Sequence, residues 1–346
     1  MRSNWKKIGF GLLSVALFIL SIQLLKEGAG VVAPYVEGWL DVDNPANSLG
    51  FGWLFAYLIM SGSPVAAVGL TLYDANVVSQ IETLTLISGS RLGASFIVLF
   101  IGFVYVLRGQ ERLAGLSMGL LSFIITGVLH LPGLLIGYLM LANGFADLVR
   151  LEGGPALTSV IELVYGPIIQ LVMRYAPGWL VFVMGGGLVL VSFNLLDRAL
   201  PELNLESSQF GAVSRVIYRP IVMFLVGLVV TALSMSVSIS LSILVPLSAR
   251  GYIRSENAIA YIMGANVSTF VDTLLVALLL NNSLATSVVL VQMASITIVS
   301  LFILALMYTQ FERAVLRLIS LIGASTRNLI MFAATILVAP IVLMIL

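Results

Sequence analysis

Apolar runs long enough to cross a bilayer follow one another along almost the whole chain, and this pattern constrains the fold more than any other feature. A helix needs about 20 residues to span the hydrocarbon. Runs of this kind occupy 8–25, 83–107, 113–129, 131–148, 178–197, 258–280, 285–308 and 329–346, and a weaker one holding Glu162 and Pro167 occupies 157–173. Two further apolar stretches, 49–72 and 221–248, are interrupted by Ser, Gly and Pro and read as re-entrant hairpins. With 10% charged residues the chain cannot be a water-soluble globule, whose charged share is about 25%. Backbone polar groups in lipid must be satisfied internally, so the expected fold is all-α and polytopic, with about nine transmembrane helices plus the two hairpins.

Charge and cysteine content exclude several functions. Seventeen bases against sixteen acids leave +1, which gives no electrostatic footprint for nucleic acid. There is no cysteine, so disulfides, thiolate metal sites and thiol catalysis are excluded, and the single histidine, His130, cannot alone build an imidazole metal site. No Gly-x-x-x-x-Gly-Lys-Ser/Thr loop is present to cradle ATP, and the apolar core offers no paired carboxylates, so neither a pump nor an enzyme is expected and no cofactor is implied. His130, two residues before Pro132, reads as a satisfied loop or interface residue, and the Met184–Gly185–Gly186–Gly187 run as a tight helix contact.

Sidedness follows from the bases. If Arg2, Lys6 and Lys7 hold the N-terminus in the cytoplasm, both hairpins return, and each of the nine runs crosses once, the C-terminus lies outside. Fourteen of the seventeen bases are then cytoplasmic, Lys26 and Arg174 are outside, and Arg91 lies in the membrane, as the positive-inside bias requires. The expected location is the plasma (inner) membrane. The first run reads as a span and not a cleaved leader, because a counterpart recurs in mid-chain.

That counterpart belongs to an internal duplication. At an offset of 175 residues, Met60–Ser61–Gly62–Ser63 falls on Met235–Ser236–Val237–Ser238, Gly89–Ser90–Arg91–Leu92 on Gly264–Ala265–Asn266–Val267, and Gly11 and Leu13 on Gly186 and Leu188. Five runs precede the second copy, an odd number, so the copies are expected upside down relative to each other. The first inverted repeat is placed at 1–150, with hairpin 49–72 and a broken helix at 83–107. A connecting segment and weak span follow at 151–177, then the second repeat at 178–346, with hairpin 221–248 and a broken helix at 258–280. Broken helices of inverted repeats meet near the midplane, where freed backbone groups coordinate solutes.

The interrupted stretches supply suitable chemistry. Ser61–Gly62–Ser63–Pro64 should break a helix through glycine entropy and the missing proline N–H. Ser61 and Ser63, with Ser236, Ser238, Ser240 and Ser242, offer hydroxyls to an oxyanion or to Na+. Two charges lie deep in the membrane, Arg91 and Asp272, and three roles compete: Arg91 holding an anionic substrate, Asp272 holding a coupling cation, or the two forming a structural pair. Asn266 and Thr269 add amide and hydroxyl ligands beside Asp272.

These residues resemble the type II sodium/phosphate cotransporter family. It carries two inverted copies, each with Gln-Ser-Ser-Ser in a re-entrant hairpin followed by Gly-Ala-Asn-x-Gly-Thr-Thr. Here the second copy reads Met235–Ser236–Val237–Ser238 and then Gly264–Ala265–Asn266–Val267–Ser268–Thr269–Phe270, and the first Met60–Ser61–Gly62–Ser63 and then Gly89–Ser90–Arg91. Both glutamines have become methionine and the middle serines Gly62 and Val237, the pattern of a divergent member. The resemblance implies sodium-coupled symport of inorganic phosphate or a related small anion, with membrane lipid as the surrounding solvent. Substrate binding then falls to Ser61, Ser63, Arg91, Ser236 and Ser238, and cation binding to Asn266, Thr269 and Asp272. The alternative is a non-transporting membrane scaffold or partner-binding protein that keeps the fold.

Overall fold

The computed structural model describes residues 2–39, 44–107, 112–199, 219–242, 244 and 254–346. Most of the 198–220 loop, the second hairpin past 242 apart from residue 244, and the side chains of Ser238 and Ser242 lie outside the described residues. The first half contains α1 (Arg2–Trp39), α2 (Pro45–Ile59), α3 (Gly62–Asp74), α4 (Gln80–Leu107), α5 (Arg112–Ala142), the single turn α6 (Phe145–Leu148) and α7 (Gly154–Tyr175). The second half contains α8 (Gly178–Ala199), α9 (Pro220–Ser234), α10 (Val237–Ser242), α11 (Ser255–Ser268), α12 (Val271–Leu280), α13 (Ser283–Phe302), α14 (Tyr308–Gly323) and α15 (Thr326–Ile345). Among the described residues, eight helices are long and apolar enough to cross a membrane.

Eight replace the expected nine because the runs 113–129 and 131–148 are not two spans. They form one helix, α5, which carries Pro132 in its interior, and then α6. A proline removes one N–H from the ladder, and in a packed membrane helix neighbouring groups absorb that loss. The broken helix expected at 83–107 is likewise continuous as α4. In the second copy the break exists but is mild: Thr269 and Phe270, between α11 and α12, both keep right-handed helical angles, so the chain kinks there without reversing.

Both interrupted stretches do turn, one residue before the Ser-Gly-Ser-Pro break expected in the first. The turn is made by Met60, at φ 56°, and by its counterpart Met235, at φ 51°. Gly62 and Pro64 sit in the first turn of α3, where backbone N–H groups have no intrahelical partner and a proline loses nothing. Asn44 caps α2 by accepting from the N–H groups of Ala46 and Asn47, and Pro45 and Pro220 open two helices of equal length, 15 residues each.

Packing repeats at the same offset. A Cβ on Gly52 would lie 2.2 Å from the Leu86 carbonyl oxygen, and one on Gly89 2.1 Å from that of Leu49. In the second half the corresponding glycine, Gly227, would meet the Tyr261 oxygen at 2.0 Å, and Gly264 the Phe224 oxygen at 1.9 Å. Each pair presses two helix backbones together at a distance only glycine permits. Thus α2 runs parallel to α4, and α9 to α11, through the same four positions.

α1 and its counterpart α8 pack along their lengths in opposite directions. Gly11 faces Ala199, Phe18 stacks edge-on with Phe193, Gly28 meets Phe182, and Val31 meets Gly178. Gly185 presses on Leu25, as expected of the glycine run. Near the Val31 end, Lys26 donates to the Leu280 carbonyl at 2.9 Å and pairs with Asp74 at 3.5 Å, and Asn282 donates to Asp74 at 2.8 Å. The end of α3 therefore returns to the level where α12 ends and α13 begins.

α7 departs from the expected crossing at 157–173. Gly153, at its start, lies against the Leu278 carbonyl, and Gly178, just past its end, lies against Val31. The α1 residues level with these two points, Gln23 to Val31, cover only about 12 Å of helix rise, whereas α7 itself is about 33 Å long. It therefore lies obliquely across one end of the bundle, over a cavity of about 450 Å³ lined by Gln23, Glu27, Glu162, Gln170 and Leu278 among others.

Candidate functional site

The turns at Met60 and Met235 bring α3 and α10 onto helices of the opposite half. α3 packs against α12 and α10 against α4, so each hairpin touches the long helix of the other copy. Ser61 occupies the N-cap of α3 in extended conformation without closing a side-chain cap bond. Ser234 bonds to the Ser236 carbonyl at 3.1 Å and secures the second tip.

Arg91 joins the two copies. Its guanidinium donates to Asp272 at 3.0 Å, to the Thr273 hydroxyl and, at 3.4 Å, to Ser63 at the first hairpin. Both charged side chains are buried, at 4% and 2% exposure, so this is an intramembrane ion pair and not a surface contact. Thr273 reinforces it by donating its N–H to Asp272 at 2.5 Å and its hydroxyl at 2.8 Å. The Phe270 ring lies against the guanidinium, 5.3 Å from centroid to Arg91 Cζ. Of the three roles open for Arg91 and Asp272, pairing is the one this arrangement displays.

The other expected residues lie close by. Asn266, the repeat counterpart of Arg91, is buried and donates to its own helix at the Ile262 carbonyl, 2.9 Å away. Thr269 is buried at the kink. The Ser238 side chain lies outside the described residues. Sequence reasoning missed Thr273, although its adjacency to Asp272 was a usable signal, and it missed Phe270. His130, expected as a satisfied loop or interface residue, is fully buried on α5 with the Asn266 side chain as its hydrogen-bonding neighbour. No group of three or more His, Cys, Asp or Glu side chains forms a metal cluster among the described residues.

An all-helical, multi-pass integral membrane protein with a buried ion pair between α4 and α12 is the class these features define. Residues 188–324, about two fifths of the chain, match the family model described as Na+/Pi-cotransporter. The match begins within α8 and ends just past α14, so it falls on the second copy. No curated protein and no solved structure matches the chain.

Proposed function

We propose that the protein is a secondary active transporter that carries inorganic phosphate, or a related small anion, together with sodium by alternating access between two inverted repeats. The family match supports the substrate class. The antiparallel packing of α1 on α8 supports the inversion. In this reading α1, α4 and α5 cross the membrane before the second copy begins, and α7 lies on the outer face. Three crossings are odd, as five were, so the orientation survives two compensating corrections. The N-terminus is cytoplasmic and Arg150 moves outside, which still leaves thirteen of the seventeen bases inside. The hairpins enter from opposite faces, and Ser61, Ser63, Ser236 and Ser238 hold the anion between their tips.

The Arg91–Asp272 pair carries the coupling. Breaking a buried pair by removing one partner leaves an uncompensated charge, at about 3–5 kcal/mol. An anion that takes Arg91 alone, or a cation that takes Asp272 alone, incurs that penalty. When both bind, each charge exchanges one partner for another and the balance is kept. Asn266 and Thr269 stand beside Asp272 to complete a sodium shell. Cotransport follows from this electrostatics without any covalent step.

Sodium-dependent uptake of labelled phosphate into proteoliposomes tests the reading. Wild type should accumulate phosphate only with sodium, and Ser236→Ala and Arg91→Gln should reduce uptake. No uptake under any sodium or proton gradient would instead support the scaffold alternative.

A further inference from the structure

Three side chains on α5, Ser122, Thr126 and His130, are 0%, 1% and 0% exposed; the Ser122 and Thr126 hydroxyls have no hydrogen-bond partner among the described residues, and the His130 ring has the Asn266 side chain beside it. Their spacing of four residues sets them on one helical face, over about 12 Å of rise. Neighbouring elements add unpartnered buried atoms: Nε of Arg91 on α4, and Oε1 of Gln292 and Oγ of Ser300 on α13. Elsewhere in the molecule most buried hydroxyls bond to the carbonyl three or four residues back, as Ser90, Ser95, Ser192 and Ser295 do, so this stripe departs from the molecule's own rule. An unpaired buried donor costs about 1–3 kcal/mol, so a row of them calls for a polar partner such as water or an ion.

We propose that Ser122, Thr126 and His130 line the cytoplasm-facing half of the anion's path, which ends at Arg91. His130 and Arg91 flank the same Phe270 ring, at 5.9 Å between ring centroids and 5.3 Å from centroid to Cζ, so the stripe leads to the ion pair with Phe270 between them. From His130 it runs toward Arg112, the end of α5 that the proposed topology places at the cytoplasm. Hydroxyls, an imidazole and a guanidinium N–H present donors to an oxyanion. α13 carries no acid, and the one acid in the first turn of α11, Glu256, lies nine residues before the buried Ala265. The donors along such a path, which ends at a guanidinium, suit a small hydrated anion, with Gln292 Oε1 the one pure acceptor among them. The inference rests on the transport reading for the identity of its cargo.

The absence of cysteine makes the test direct. Ser122→Cys and Thr126→Cys are nearly isosteric, and Leu121→Cys, equally buried but on the opposite face of α5, is the control. In membrane vesicles of known sidedness, a negatively charged membrane-impermeant thiosulfonate should label both stripe positions from the cytoplasmic face. It should do so about tenfold or more faster than a positively charged reagent of similar size, as a donor-lined path steers anions. Labelling at neither stripe position, labelling of Leu121→Cys as fast as the stripe, or equal rates for both reagents would overturn the inference. Labelling needs no transport, so normal labelling without uptake would sink the transport reading alone. Uptake without labelling would sink this inference alone.

Discussion

In the second copy Thr231 donates to Ser240 at 2.6 Å, and Ser240 and the Tyr261 hydroxyl bond at 2.8 Å, all three buried between α9, α10 and α11. At the same places 175 residues earlier stand Ala56, Val65 and Leu86, which pack as part of one apolar cluster. The glycine contacts around them are the same in both copies. The skeleton thus depends on close backbone approach, whereas the filling can be apolar or polar as long as each polar group is paired. The copies differ differently at the centre. The first supplies Arg91 where the second has Asn266, and the second supplies Asp272 and Thr273 where the first has Ile97 and Val98. Neither half is electrostatically complete alone, and the pair that completes them binds the two halves together.

The largest effect should come from splitting that pair. Asp272→Asn or Arg91→Gln leaves a buried charge uncompensated and should lower stability by about 3–5 kcal/mol in detergent unfolding. The double variant Arg91→Met with Asp272→Leu should recover most of the loss while uptake stays abolished. If each single change is as mild as the double, the pair does not join the copies.

The next largest effect tests the shared skeleton. Gly264→Ala and Gly89→Ala each place a methyl against a helix carbonyl and should destabilise by about 1–3 kcal/mol. Similar losses in the two copies, read by thermal unfolding, would sharpen the comparison, and a large loss in only one copy would break it. Smaller still, Tyr261→Phe should cost about 1 kcal/mol for one buried hydrogen bond, whereas Leu86→Tyr in the first copy should cost more, because its hydroxyl finds no partner between Ala56 and Val65. At the bottom of the scale, Arg150→Gln, which removes an exposed bond to Asp147, should change stability by less than about 0.5 kcal/mol.

Much of this arrangement was legible in the sequence, for physical reasons that also explain the misses. The two turns were visible because Ser, Gly and Pro interrupt apolar runs, and the matched glycine contacts because Met60 and Met235 share a register with Gly89 and Gly264. The turning residue was not, since methionine carries no left-handed preference and only the repeat of φ values exposes it. Pro132 was overweighted as a breaker in a medium that tolerates it. α7 has the length and hydropathy of a span, and only its end contacts, to Leu278 and Val31, show that it lies across the bundle. At the site, Arg91 and Asp272 stood out by charge alone, but no pattern along the chain relates His130 to Phe270, 140 residues away.

The central claim is that two oppositely directed halves each send a hairpin inward from its own side of the membrane. Labelling of Pro45→Cys and Asn76→Cys, which flank the first hairpin, and of Arg219→Cys and Arg254→Cys, which flank the second, measures it most directly. The first two should react only from outside the cell and the last two only from the cytoplasm. Reaction of one hairpin's two flanks from opposite faces, or of all four from a single face, would contradict the account.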